Sequence, residues 1–131
     1  MSTRRFVYET LGNYVPLQAL VADRIYQGES LDKSTQVKPF IVYRMGNDTD
    51  MNFAEADKFP HQQFFLIYAH DEPADYSKVD DILNACIQAF RLANSVPYGI
   101  TATRYLETSR DLDDAILATI MRYSRFQFIM S

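Results

Sequence analysis

The chain has 131 residues, of which 47% are hydrophobic and 23% are charged, and its formal net charge is −4. This length fits one domain with a buried core, and the balance of apolar and charged residues excludes an intrinsically disordered chain. The acidic charge argues against a protein that reads a nucleic acid sequence, which needs a basic face for the phosphates, although it permits a channel through which DNA merely passes.

The single cysteine and the hydropathy of the chain indicate in which compartment the protein is made. A single cysteine, Cys86, allows no internal disulfide, and its apolar surroundings favour a small buried hydrophobe over a nucleophile. No run approaches the ~18 apolar residues that a membrane-spanning helix needs, and the N-terminus shows no signal peptide. We therefore expect a soluble protein, made in a reducing cytoplasm, that has no membrane partner.

The first predicted elements are helical and cover residues 3–22. Pro16 suits the first turn of a second helical piece, because its missing N–H would be unpaired there in any case. Two short helices and one kinked helix both fit this pattern. Residues 27–38 are polar, lack periodicity and predict a loop.

Two strands separated by a long connection come next. The run 39–45 is short, apolar and rich in β-branched and aromatic residues, and the run 61–71 is apolar on both faces. The second strand is therefore expected to be central or covered on both sides; the alternative is a strand with one exposed aromatic row. Residues 46–60 are acidic and turn-rich, which predicts a mobile loop or a protruding hairpin arm between antiparallel strands.

One amphipathic helix and two more strands complete the chain. Apolar residues fall on one helical face between Val79 and Phe90, where Cys86 also lies. Residues 99–108 alternate weakly, and 118–130 predict a long final strand. This layout describes a small sheet with a helix lying across it.

A search for catalytic and metal-binding patterns finds no convincing site. The four glycines are scattered, so no phosphate-binding loop is recognised. His61 and His70 stand at opposite ends of one predicted strand, about 30 Å apart, and cannot share a metal ion within one subunit. Asp111, Asp113 and Asp114 lack the turn glycine and the distal glutamate of a calcium loop, which favours a solvated turn.

Three pieces of the chain carry a family resemblance. Val21-Ala-Asp-Arg-Ile-Tyr26 follows the N-terminal helical segment, and Pro39-Phe-Ile-Val-Tyr-Arg44 forms the first strand. The strand Gln63–Ala69 then leads through Asp75-Tyr76 into the amphipathic helix. In this order and spacing, over residues 3–94, they resemble the tail-completion, or tail-terminator, proteins of long-tailed, siphovirus-type bacteriophages.

The resemblance implies an α+β fold, with an antiparallel sheet of about four to five strands flanked by an N-terminal helix and one central amphipathic helix, in a single domain of residues 1–131. It implies a homo-oligomer, a hexameric ring that caps the head-proximal end of the tail tube and stops tube polymerisation. Its partners would be the tail-tube protein and the head–tail connector or stopper protein, with DNA passing through the ring. It implies a virion location in the tail or neck, assembly in the host cytoplasm, and neither catalysis nor a cofactor.

Docking of identical copies side by side needs edge strands and protruding arms, and residues 46–60 are the candidate arm. Its candidate interface residues are the apolar anchors Met51, Phe53 and Phe59. Two acidic residues near them, Asp48 and Asp50, are also candidates. The alternative is a solvated hairpin without a partner. Deletion of residues 48–58 is expected to leave a folded monomer that forms no ring.

Two arginines of the final strand are also candidate interface residues. Arg122 and Arg125 either face the acidic loop of a neighbouring subunit or simply face water, because the strand that carries them is a possible sheet edge.

Two other functions stay open at this point. One is a different neck or connector component of the same virion, bound to the head side instead of the tube. The other is an unrelated small α+β domain that binds a ligand or catalyses a reaction. A closed pocket lined by Tyr8, Tyr26 and Tyr43 with one convergent charge would support that last reading.

Overall fold

The structure, a computed structural model, describes residues 3–27, 37–50, 61–74 and 76–130. Its elements confirm the α+β class and, in chain order, are α1 (Thr3–Asn13), α2 (Val15–Val21), β1 (Ile25–Gln27), β2 (Phe40–Asp50), β3 (His61–Asp71), α3 (Ser77–Leu92), a short 3-10 helix (Val96–Tyr98), β4 (Ile100–Thr108), β5 (Leu112–Asp114) and β6 (Thr119–Met130).

The six strands form one sheet in the order β1-β2-β3-β6-β4, and β5 pairs with β6 beside this path. All pairs are antiparallel except β1 with β2, which run parallel, so the sheet is mixed where a purely antiparallel one was expected. The sequence predicted no strand at the positions of β1 and β5. Each has three residues, too few to show an alternating pattern in the sequence.

The final strand is central in the sheet, and its expected place as a possible edge was wrong. β6 pairs with β3 on one side and with β4 and β5 on the other. The side chains of this twelve-residue strand alternate between the two faces of the sheet, so Phe126 and Phe128 lie on the same face, where both are buried. A long strand that buries aromatic rings gains most from neighbours on both sides, which explains its central position.

The N-terminal helical segment is two helices, since Tyr14 separates α1 from α2 and Pro16 lies in the first turn of α2. All three α-helices pack on one face of the sheet. Their apolar residues meet Ile41, Phe65, Ile67, Phe126 and Phe128 in a single core cluster. Cys86 lies in this cluster, and burial raises the pKa of its thiol, so it is the inert buried hydrophobe that the sequence indicated.

Strand β2 is longer than the sequence indicated. It reaches Asp50, so the first residues of the proposed 46–60 arm are part of the ladder with β3, and residues 51–60 lie outside the described chain. The ladder contains a register shift between Met45 and Asp48. Such a bulge lets a polar, glycine-containing stretch continue a strand that its composition alone would end.

Gly46 is required where it stands in β2. A Cβ at this position would lie 2.7 Å from the backbone carbonyl oxygen of Phe64, closer than two such atoms can approach. We expect Gly46→Ala to destabilise the protein by about 1–3 kcal/mol, because the strand pair must separate locally. Gly12→Ala is the matched control, since a Cβ at Gly12 meets nothing within 4 Å and alanine favours a helix. Thermal unfolding of both variants measures the difference; equal melting temperatures would contradict it.

A second, small cluster closes one end of the other sheet face. Phe40, Val42 and Leu117 are buried there, with Tyr26 and Tyr68 packed against them. His70 joins this cluster: its ring stacks on Phe40 with centroids 4.7 Å apart, and its Nδ1 lies 2.8 Å from Thr119 Oγ1.

His70 is expected to make the protein sensitive to acid. Burial lowers its pKa from 6.5 to about 4, with Asp114 acting weakly in the opposite sense. The unfolded chain therefore binds the proton first, and stability that is complete above pH 6.5 falls as the pH drops towards 4. The loss amounts to about 3 kcal/mol. Urea unfolding between pH 7 and pH 4 measures it, and His70→Gln should flatten the profile. An unchanged slope in His70→Gln would refute this source of acid sensitivity.

Candidate interaction surface

The central part of the second sheet face carries no helical layer in the described chain. Strand residues alternate between the two faces, so the neighbours of core residues such as Phe65 and Phe126 point away from the helices. We call this area the open face and define it by seven residues: Arg44, Phe64, Leu66, Tyr68, Glu107, Tyr123 and Arg125. β3 lies between β2 and β6, which confirms the expectation that it is central or covered on both sides. Its side chains on the open face are half-buried in the part of the chain that the structure describes.

The strand register sets the order of the open face. Arg44 is opposite Leu66, Leu66 is opposite Arg125, and Arg125 is opposite Glu107, which makes one row across four strands. Tyr68 and Tyr123 form the next row, with ring centroids 5.4 Å apart. The row therefore has an apolar centre and a cation on each side of it.

Both arginines lie over aromatic rings. The Arg125 guanidinium is 4.6 Å from the centroid of the Phe64 ring, and the Arg44 guanidinium is 5.7 Å from that of Tyr68. These distances are typical of cation–π contacts, which hold a long side chain in place. Arg125 Nη1 also lies 3.6 Å from Glu107 Oε1. Burial raises the pKa of the Tyr68 phenol, so this hydroxyl is neutral at physiological pH.

The open face contains a groove of about 520 Å³. Half-buried aromatic and aliphatic side chains form its floor and the two arginines stand at its sides. Tyr, Phe and Arg are residue types enriched at protein interfaces, which makes this groove a candidate interaction surface. The groove suits a peptide that combines apolar and acidic side chains.

The two arginines predicted together lie on opposite faces of β6. Arg125 is on the open face, whereas Arg122 is on the helical side, where its Nη1 is 2.5 Å from Asp80 Oδ1 and its Nε is 3.5 Å from Asp111 Oδ1. Arg122 also donates to the carbonyl oxygen of Ser109 from both Nε and Nη2. Its charge thus has partners within the subunit, and its role between subunits stays a prediction.

The other predicted interface residues belong to the hairpin. Asp48 and Asp50 are in β2 beyond its bulge, opposite Gln63 and His61 of β3. Met51, Phe53 and Phe59 lie outside the described residues.

Six residues of the open face were not singled out from the sequence as interface residues: Arg44, Phe64, Leu66, Tyr68, Glu107 and Tyr123. The apolar pattern of β3 on both sides was the available signal, since a strand with one uncovered apolar face is an interface candidate. Arg44 had no such signal, because its position beside these rings depends on the strand register.

The other patterns singled out in the sequence are structural. Asp114 Oδ1 accepts hydrogen bonds from the backbone N–H groups of Ile116 and Leu117, so it builds the turn between β5 and β6. In the described chain no group of three His, Cys, Asp or Glu residues is arranged to hold a metal ion. Among the helices that the structure describes, none has the length and apolar character needed to cross a membrane.

The pocket that would have supported a ligand-binding domain is not formed by the three tyrosines proposed for it. Tyr26 belongs to the small cluster on the open side of the sheet, whereas Tyr43 is buried in the helical core on the opposite side. Tyr8 is half exposed on α1. One cavity therefore cannot be lined by all three.

Comparison with known proteins yields a shared fold. No family model and no curated protein matches the chain. Among solved structures, that of the bacteriophage SPP1 gp17 protein is similar, with a TM-score of 0.56 and 17% sequence identity over 98% of this chain and 88% of that chain. At this level of identity the likeness establishes the fold alone.

Proposed function

We propose that this protein is a structural virion protein that forms a ring at the head-proximal end of a phage tail tube. In this role it stops tube polymerisation and presents the joining surface for the head connector, while DNA passes through the ring. The ordered motifs over residues 3–94 support the proposal. The fold shared along nearly the whole chain with a bacteriophage protein agrees with it.

The open face is the observation that carries the proposal. It places a half-buried aromatic and aliphatic floor between two arginines at the centre of the sheet. Leu66 and Phe64 remain partly exposed to water in a lone subunit. Their burial in an assembly would stabilise that assembly by ~25 cal/mol per Å² of apolar surface removed from water. These features support contact of this surface with another protein chain.

The described side chains best suited to catalysis support a role without a reaction. Cys86 is fully buried and its pKa is raised, which disfavours the thiolate that a nucleophile needs. His70 is buried between Phe40 and Thr119. Neither side chain lines the groove of the open face.

A ring follows if the open face of one copy binds a different surface of the next. Such a contact is heterologous: it repeats head to tail and closes when the rotation between copies divides a full turn. A self-complementary contact between two open faces would instead give a dimer.

Tube assembly is the direct test of this function. Purified tail-tube protein is polymerised with and without a small molar fraction of this protein, and tube lengths are measured by electron microscopy. We expect shorter tubes with the protein at one end only. Tubes of unchanged length, with the protein bound instead to the head connector, would assign it to the connector and contradict the terminator role.

Removal of the hairpin connection is expected to abolish the ring and preserve the fold. The deletion of residues 48–58 considered above would cut into β2, so the cleaner change replaces residues 51–60 by Asn-Gly. Asp50 and His61 are paired, and a two-residue Asn-Gly turn suits strands joined at such a pair. Size-exclusion chromatography should show a monomer, and circular dichroism an unchanged fold. An oligomer at the wild-type elution volume would contradict the arm hypothesis.

A further inference from the structure

A second groove, of about 270 Å³, lies between the helix α3 and the outer strand β4. Ile87, Phe90 and Arg91 line it from α3, and Arg104 and Tyr105 line it from β4. We propose that this edge groove binds a short extended segment of a different protein, both acidic and apolar, which adds to β4 as a strand. The inference goes beyond the proposed function and does not depend on it.

The strand β4 is an edge of the sheet. It pairs with β6 on one side and has no strand on its other side in the described chain. The backbone N–H and C=O groups of such an edge are a template for an added strand. Register shifts at Ile100/Ala102 and at Tyr105/Glu107 leave about four residues, 102–105, in regular pairing. The edge therefore suits a short peptide better than a long strand of another sheet.

The helical side of this edge offers a place for an apolar side chain. Phe90 is buried, Ile87 is half-buried, and the Tyr105 side chain is 40% exposed. The Tyr105 ring meets the ring of Phe126 edge-on, with centroids 5.8 Å apart. Alternate side chains of an added strand would point towards this apolar surface. Where a peptide adds to a sheet edge, main-chain hydrogen bonds supply affinity and such pockets supply specificity.

Two exposed cations flank the edge groove. Neither Arg91 nor Arg104 has an ion pair or a hydrogen bond with another side chain among the described residues, whereas Arg122 and Arg125 both pair with acids. The last turn of α3 favours a cation at Arg91, but this interaction leaves the N–H donors of the guanidinium available. Guanidinium groups bind carboxylates through paired hydrogen bonds, so these positions favour an acidic partner.

Strand alternation places the two cations on different sides of the edge. Arg104 is opposite Gln127 and points away from the face on which its neighbour Tyr105 lies, whereas Arg91 belongs to the helical layer. An added strand would therefore meet a cation on each of its faces. The complementary segment has apolar residues at its centre and acids on both sides of them.

A protein segment fits this edge better than a nucleic acid does. The edge of β4 presents both donors and acceptors, and a peptide backbone answers both, whereas phosphates only accept. Glu107 lies in the same strand, and the whole chain has a net charge of −4, which disfavours a polyanion.

A second copy of this chain also fits less well. The opposite outer strand, β1, consists of Ile-Tyr-Gln and has no acid to match the arginines. The acidic strand β5 is already engaged within its own subunit. The Leu112 carbonyl oxygen accepts a hydrogen bond from the Tyr76 hydroxyl at 2.6 Å, and the Asp114 carboxylate holds its own turn.

A charge exchange between protein and peptide tests the proposal. The probe is a capped, fluorescein-labelled heptapeptide, Glu-Glu-Ile-Glu-Ile-Glu-Glu, which reads the same in both directions; its counterpart carries Lys in place of every Glu. The protein variant is Arg91→Glu with Arg104→Glu. Arg110→Glu, in the exposed turn after β4, is the matched control for a reversed charge. Fluorescence anisotropy measures binding, and the thermal midpoint checks that each variant folds.

We expect the acidic peptide to bind the wild type and Arg110→Glu equally, and to bind the double variant at least about tenfold more weakly, because charge-assisted hydrogen bonds are lost. The lysine peptide should prefer the double variant. An acidic peptide that does not bind the wild type, or that binds the double variant equally well, would overturn the inference. Oligomers of the wild-type mass in the double variant would leave the proposed ring intact in either case.

Backbone methylation tests whether the peptide adds as a strand. Two versions of the acidic peptide carry N-methyl groups on alternate residues, one on the odd positions and one on the even positions. Only one set of alternate N–H groups faces β4, so we expect one version to lose binding and the other to keep it. Equal binding of both versions would refute strand addition.

Two further outcomes would assign the edge groove to another occupant and overturn the inference. One is duplex DNA that displaces the acidic peptide from the wild type and does not bind the double variant. The other is a wild-type oligomer that dissociates in the double variant although the acidic peptide binds neither protein, which would indicate a second copy.

Discussion

Phe65→Ala is expected to lower the free energy of unfolding by about 4 kcal/mol. The Phe65 side chain is 0% exposed and lies at the centre of the aromatic core. Its ring centroid is 4.4 Å from that of Phe128, 5.0 Å from Phe126 and 5.3 Å from Phe90. These rings come from β6 and α3. The cavity left by the substitution would therefore weaken the packing of the helical layer against the sheet.

Urea unfolding measures this effect. A loss of that size should shift the midpoint by about 2 M, because small domains lose roughly 1–3 kcal/mol per molar urea. A midpoint shift of less than about 0.5 M would correspond to a loss of only about 1 kcal/mol of unfolding free energy. Such a small loss would contradict the central position of Phe65 in the core.

Phe64→Ala, at the neighbouring position, is expected to act on assembly instead. Phe64 points to the open face, where it is half buried beneath the Arg125 guanidinium. The isolated subunit should lose about 1 kcal/mol or less, because solvent already reaches the ring. An anchor at the centre of an interface contributes about 2–4 kcal/mol to binding, and every contact in a ring loses that amount.

The two phenylalanines form a matched pair, since the change is identical and only the face differs. We expect Phe64→Ala to be a well-folded monomer under conditions in which the wild type is assembled, and Phe65→Ala to be poorly folded. Sedimentation velocity and thermal unfolding of both proteins separate the effects. Normal assembly of Phe64→Ala would remove the open face from the interface.

The helices, and the strand face that packs against them, could be predicted from the sequence. The apolar positions of α3 recur with helical spacing, and the alternation of β6 places Phe126 and Phe128 on one side. Pro16 marks the start of α2. These signals are local, because each depends on residues within one element.

The open face was less readable for a physical reason. Arg44, Leu66 and Arg125 come from three strands, and only the register makes them neighbours. The end of β2 was misplaced because Asn47, Asp48 and Asp50 are typical of turns, while a bulge and the pairing with β3 keep them in the ladder. Arg122 shows the same limit: its partners Asp80 and Asp111 are distant in sequence.

The mass of the native protein tests most directly the claim that this chain acts by contact with its own copies. Native mass spectrometry over a concentration series, repeated with tail-tube protein present, distinguishes closed rings from open chains. We expect a single closed species of ~91 kDa, the mass of six copies of the 15.2 kDa subunit. A 15.2 kDa species alone at every concentration, with and without tube protein, would contradict it.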